Sequence, residues 1–172
     1  MNTDLFTFGE ALSVFISSDS DSVMSAEKYE RVTAGAEVNV AVTLSRLGLK
    51  PQYFSRFGND QLGSVMLEDI KAEGVDVSLT KRVNAFTAAM VRNSGKTAPV
   101  EISYLRKGSA ASTIEPADIL DSYISSTRWL HTTGITCAIS NSGAATVKYA
   151  LQKAAALDVK SSFDLNIRRK LW

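Results

Sequence analysis

The sequence predicts an α/β fold: a mainly parallel sheet with helices, and a small antiparallel sheet standing off it. Three observations carry this. Short apolar runs that end at glycine or polar residues alternate with longer segments of helical periodicity. That alternation implies right-handed βαβ crossovers, which make neighbouring strands parallel. Two stretches, about 12–33 and 84–107, break the rhythm with period-two alternation and turn residues, so they belong to the smaller sheet.

The elements follow in order. "LFTFG" (Leu5–Gly9) is a short apolar run closed by a glycine, the pattern of a buried strand. "GAEVNVAVTLSRLG" places Val40, Leu44 and Leu47 at helical spacing, widened by Val38, Ala41 and Val42, and Gly48 ends it. "QYFSRFG" is strand-like. In "NDQLGSVMLEDIKAEG" Leu62, Met66 and Ile70 share a helix face, Asn59 or Asp60 is available as the cap, and Gly74 is the stop. "FTAAMVRNSGKTAPVEISYLR" reads as a hairpin, with Phe86–Arg92 and Val100–Arg106 on either side of "NSGKTAP". "TRWLHTTG" is a strand, "NSGAATVKYALQKAAALD" a helix with Val147, Leu151 and Ala154 in line, and "VKSSFDLN" a last strand. No internal repeat, low-complexity tract or linker interrupts residues 1–172, which read as one domain.

The bulk properties exclude several classes. A formal net charge of +1 gives no electrostatic reason for a nucleic-acid or anionic-membrane partner. No apolar run approaches the roughly 20 residues of a membrane span. "MNTDLFTFGE" carries Asp4 and no long apolar core, unlike a signal peptide. Cys137 is the only cysteine, so an internal disulfide is excluded and a reducing, cytoplasmic setting is expected.

Ligands of open α/β sheets bind beyond the carboxyl ends of the strands. Just past the strands stand Gly9-Glu10, Gly58-Asn59-Asp60, Thr132-Thr133-Gly134 and Asp164-Leu165-Asn166, which together favour a binding crevice. "SGKT" (Ser94–Thr97) resembles the end of a phosphate-binding loop, but Met90 stands where the first glycine is needed and the segment lies in a hairpin. It reads as a turn. His131 and Cys137 read as packed interior groups, and no metal site is expected.

"GAEVNVAVTLSRLG" and "RFGNDQLGSVMLEDIKAEGVD" resemble the amino-terminal signature of the ribokinase-like (PfkB) carbohydrate kinases. "ISYLRKGSAAS" and "DLNIRRKLW" are most similar to the 2-keto-3-deoxygluconate kinases within that family. The matches run from Gly9 to Trp172. The resemblance implies a three-layer αβα sandwich with a β-sheet lid over the sugar, a lid that also mediates a homodimer. It implies sugar contacts by Gly35 and Asn39 at a helix start, by Tyr104 and Arg106 from one face of the lid hairpin, and by Ile135. Asn166 and Arg168 would reach toward phosphate, with Arg168 also near the acidic end of the substrate. Family members are nearly twice this length, and their second half holds the catalytic aspartate, the anion hole and the adenine pocket. No Gly-x-Gly-Asp pattern occurs here, so the resemblance covers the amino-terminal half and assigns this chain no catalytic residue. The intact enzyme would use ATP and Mg2+ to phosphorylate a primary hydroxyl of a sugar or sugar acid. This half alone is expected to be inactive and to bind neither tightly. A kinase of neutral ketoses such as fructose, and a non-catalytic sugar-binding or dimerisation module, are the alternatives.

Overall fold

The computed structural model describes residues 3–169 and 171–172. Its central sheet has four parallel strands in the order β10-β9-β1-β4, with β1 at Leu5–Phe8, β4 at Pro51–Phe54, β9 at Trp129–Thr133 and β10 at Lys160–Asp164. Alternation along each strand sends neighbouring side chains to opposite faces. Tyr53 accordingly joins the layer formed by helices α1 (Ala36–Arg46) and α2 (Gln61–Ala72), packed with Val38, Ala41, Met66 and Ile70. Phe54, with Phe6, Phe8 and Leu130, meets Val147, Ala150 and Ala154 of helix α5 (Asn141–Ala156) on the other face. The result is a three-layer αβα sandwich. Burying each of the large side chains contributes roughly 1.5–3 kcal/mol.

Side-chain caps open the helices α2 and α5, while α1 starts at Gly35 without one. Asp60 accepts from Gly63 N at 2.7 Å to open α2, and Ser140 accepts from Gly143 N at 3.0 Å to open α5. Along α1 the sequence and the structure part company. Val38 and Ala41 reach the core, Val40 and Leu44 line a groove of about 700 Å³ beside β9 and β10, and Leu47 is exposed. The apolar stripe is wider than the core contact.

The lid is a second four-stranded sheet, in the order β3-β2-β7-β8: β2 at Leu12–Ser17, β3 at Tyr29–Ala34, β7 at Ala89–Arg92 and β8 at Ile102–Leu105. The β7–β8 hairpin is present, with shorter strands than the sequence suggests. The lid is mixed rather than antiparallel, because β2 and β7 lie side by side in the same direction at the join of its two hairpins. A second correction concerns "QYFSRFG", which is not one strand. It breaks at the buried Ser55, and β5 (Arg56–Gly58) leaves the central sheet to pair with β6 (Lys81–Val83). Two short helices, α3 (Asp121–Ser125) and α4 (Gly134–Ile139), had no clear periodic signal.

The "SGKT" segment is a turn at the tip of the lid. It does wrap an anion, but an internal one. The Asp21 carboxylate accepts from the Ser94 and Thr97 hydroxyls and from the backbone N–H groups of Gly95, Lys96, Thr97 and Ala98, at 2.5–3.3 Å. These donors, Ser94 and Thr97 foremost, hold the Asp21 carboxyl far below the usual carboxylate range.

Candidate functional site

Strand β1 leaves the central sheet at Gly9 and re-enters the lid as β2 at Leu12, so Gly9–Ala11 form the crossing between the two sheets. The crossing is pinned from several sides. Tyr53 Oη donates to Gly9 O at 2.7 Å. A Cβ at Gly9 would strike the Glu37 carboxyl group and the Thr136 hydroxyl, and a Cβ at Gly35 would strike the carbonyl oxygen of Glu10. Both glycines are therefore required by close approach.

Glu10, the middle residue of the crossing, is 1% exposed. Its carboxylate is ion-paired with the guanidinium of Arg106, which follows β8, and the Ser109 hydroxyl lies 3.4 Å away. The guanidinium carbon sits 5.1 Å from the ring centroid of Tyr104, within range of a cation–π contact. Arg106 Nη2 faces Glu10 Oε2 in that pair, whereas Arg106 Nε is buried without a hydrogen-bond acceptor, so donor capacity remains at Nε. Burial pushes the Glu10 carboxyl up to about 7 against the pull of Arg106.

A second buried carboxyl group stands behind the first. Glu37, on the first turn of α1, accepts from Thr133 Oγ1 at 2.8 Å and Thr136 Oγ1 at 2.7 Å, joining α1 to the carboxyl end of β9 and to α4. Burial raises its pKa as well. Thr133 Oγ1 also accepts from Ile135 N at 3.1 Å, which fixes the start of α4.

The structure brings several of the expected residues together. Gly35 and Arg106 meet Glu10, Tyr104 packs against Arg106, and Ile135 is buried at the neighbouring end of β9. Asn39 is exposed and lines a separate groove with Arg31, Thr33 and Asp69. Asn166 and Arg168 follow β10. Asn166 has φ 40° and its amide is held by Asp164, while Arg168 is exposed. The terminal turn brings the Trp172 ring beside Gly134. Lys170 of that tail lies outside the described residues.

Glu37, Tyr53, Thr136 and Ser109 were not singled out in the sequence. Only Glu37 left a signal there, an acid inside an otherwise apolar helical run. His131 is buried, with Nδ1 at 2.9 Å from Ser162 Oγ, and burial lowers its pKa, which favours the neutral ring. Among the described residues, no group of three His, Cys, Asp or Glu side chains is placed to hold a metal ion, and no helix is long and apolar enough to cross a membrane.

A buried arginine beside an aromatic ring and a carboxylate, at the carboxyl ends of parallel strands and under a β-sheet lid, suits an oxygen-rich, partly apolar molecule. Residues 2–172 match the profile of the pfkB family carbohydrate kinases. The chain belongs to that family. It is 34% identical over 174 residues to 2-dehydro-3-deoxygluconokinase of Bacillus subtilis (strain 168), covering all of this chain and 54% of the relative. Among solved structures it superposes on the PfkB protein from Polaromonas sp. JS666 with a TM-score of 0.93 and 37% identity, covering 99% of this chain and 57% of that one. The 2-dehydro-3-deoxygluconokinase from Thermotoga maritima gives a TM-score of 0.93 at 26% identity, with coverage of 99% and 53%. The chain thus spans about half the length of the pfkB relatives it matches, and the ribokinase-like fold extends over it.

Proposed function

We propose that this pfkB chain supplies the sugar site and lid of a kinase that moves phosphate from Mg-ATP to a primary hydroxyl of a sugar acid of the 2-keto-3-deoxygluconate type. The observation that carries the reading is Arg106, buried over Tyr104, whose Nε has no hydrogen-bond acceptor while its Nη2 is held by Glu10. A guanidinium fork matches a carboxylate, and a ring packs on the apolar face of a sugar. The names of the Bacillus and Thermotoga relatives point the same way. Gly35 and Ile135 would complete the sugar contacts, whereas Asn39, in its separate groove, lies outside them; Asn166 and Arg168 would serve the phosphate side. Phosphoryl transfer rests mostly on positioning and electrostatics, and this chain contributes the positioning. Exposed Tyr29, Val32 and Leu105 on the outer lid strands suit a homodimer through the lid. A cytoplasmic setting fits a metabolic kinase.

One observation favours a second reading. Glu10 already neutralises Arg106, an arrangement that suits a neutral ketose such as fructose. A coupled assay of ADP formation by the full-length protein separates the two. Turnover of 2-keto-3-deoxygluconate well above fructose is expected, and turnover of fructose alone would replace the first reading with the second. Arg106→Ala should weaken the acid by roughly 1.5–3 kcal/mol, the range for hydrogen bonds to charged groups, and leave fructose unchanged. Equal losses by calorimetry would make Arg106 structural. The 172-residue chain alone should form no ADP.

A further inference from the structure

The reading above leaves a charge problem. A carboxylate substrate that docks on Arg106 arrives beside Glu10, a second carboxylate already in ionic contact with the same guanidinium. Glu10 has nowhere to retreat. It is 1% exposed, its backbone is fixed in the crossing between the sheets, and its carbonyl lies against Gly35. Two carboxylates sharing one buried cation cannot both stay ionised cheaply. We propose that Glu10 is a specificity-determining positioning residue: as an anion it holds Arg106 in the empty site, and it takes up one proton when an anionic sugar docks on that arginine. This rests on the sugar-acid reading of the site.

The surroundings of Glu10 favour the exchange. The titratable groups facing it are Arg106 from the end of β8, Glu37 from α1 and Tyr53 from β4, with the Ser109 hydroxyl beside them. Glu37 adds like charge, and Tyr53 is held neutral because burial carries its hydroxyl well above the usual value. Only Arg106 stabilises the Glu10 anion strongly, so a ligand that claims Arg106 removes the reason for Glu10 to stay ionised. With the carboxyl near 7 in the empty site, the transfer needs no extreme pH. The proton comes from solvent and returns to it when the ligand leaves. A neutral ketose makes no such demand, so pH would select between the two ligand classes.

The test is calorimetric binding to the full-length protein between pH 6 and pH 8, with 2-keto-3-deoxygluconate and fructose as probes, in two buffers of different ionisation enthalpy. Affinity for the acid is expected to fall about tenfold across that range, with net uptake approaching one proton at the upper end, while binding of fructose stays flat. Glu10→Gln should abolish both the slope and the uptake. The wild-type proton count stands by itself if that variant fails to fold. Binding of the acid without pH dependence or proton uptake would overturn this inference and leave the sugar-acid reading intact. Failure of the acid to bind at any pH would overturn both.

Discussion

Thr133, at the carboxyl end of β9, donates its hydroxyl to the buried Glu37 of α1 across 2.8 Å, and Thr136 does the same at 2.7 Å. This knot ties a strand, two helices and the Gly9 crossing into one unit. Glu37→Ala would leave two buried hydroxyls without an acceptor and open a small cavity. A loss of roughly 2–6 kcal/mol in chemical denaturation is expected, from about 1–3 kcal/mol for each unpaired buried group. A loss below 0.5 kcal/mol would mean that Glu37 is not a structural anchor.

Glu10 makes stability depend on pH in an unusual direction. Its folded pKa is raised from 4.5 to about 7, so the fold favours the protonated form. The stabilisation is complete below about pH 4.5 and is lost as pH rises through 7, amounting to roughly 3 kcal/mol at 1.36 kcal/mol per unit. Urea midpoints taken between pH 5 and 8 should fall with pH in the wild type, and more shallowly in Glu10→Gln. Parallel slopes would show that Glu10 does not titrate here.

The Asp21 carboxylate should hold the tip of the lid. In Asp21→Ala the amides of Gly95, Thr97 and Ala98 should exchange with solvent deuterium at least tenfold faster, while β1 and β9 are unaffected. Because the Asp21 pKa is lowered, the wild-type tip should stay protected as pH falls through 4 and open only in stronger acid. Unchanged exchange in the variant would remove the role.

Strand β10 pairs with β9 alone among the described residues, and its Phe163 is 40% exposed. An open edge with an apolar side chain invites pairing with another chain. The isolated 172-residue chain is expected to associate beyond a dimer in light scattering, and Phe163→Lys should reduce that. A clean dimer with cooperative unfolding would show that the edge is protected.

Much of this arrangement was legible in the residues. The alternation of apolar runs with helical periods gave the parallel sheet, and Gly9-Glu10 with Thr132-Thr133-Gly134 marked the end where the candidate site lies. The resemblance pointed to Gly35 and Arg106. What escaped was set by distance in the chain. The break at Ser55 follows from β5 finding β6, a partner that local pattern does not name. The short α4 carries Ile135, Thr136 and Ile139, β-branched residues of low helix preference, yet the Thr133 cap starts a helix there. The Glu10–Arg106 pair joins the two sheets, and no spacing rule predicts an ion pair between them.

The passage of β1 directly into β2 carries a mechanical consequence. A cover on a separate flexible arm swings without disturbing what it covers. Here the arm is Gly9–Ala11, the same three residues that carry Glu10 and touch Gly35, and it is gripped by Tyr53. The fulcrum of the lid therefore lies inside the site. A tilt of the outer strands would turn the peptide that bears Glu10, and a shift in Glu10 would pull on Arg106, to which it is ion-paired. In this geometry, shutting the cover and shaping the floor would be one movement.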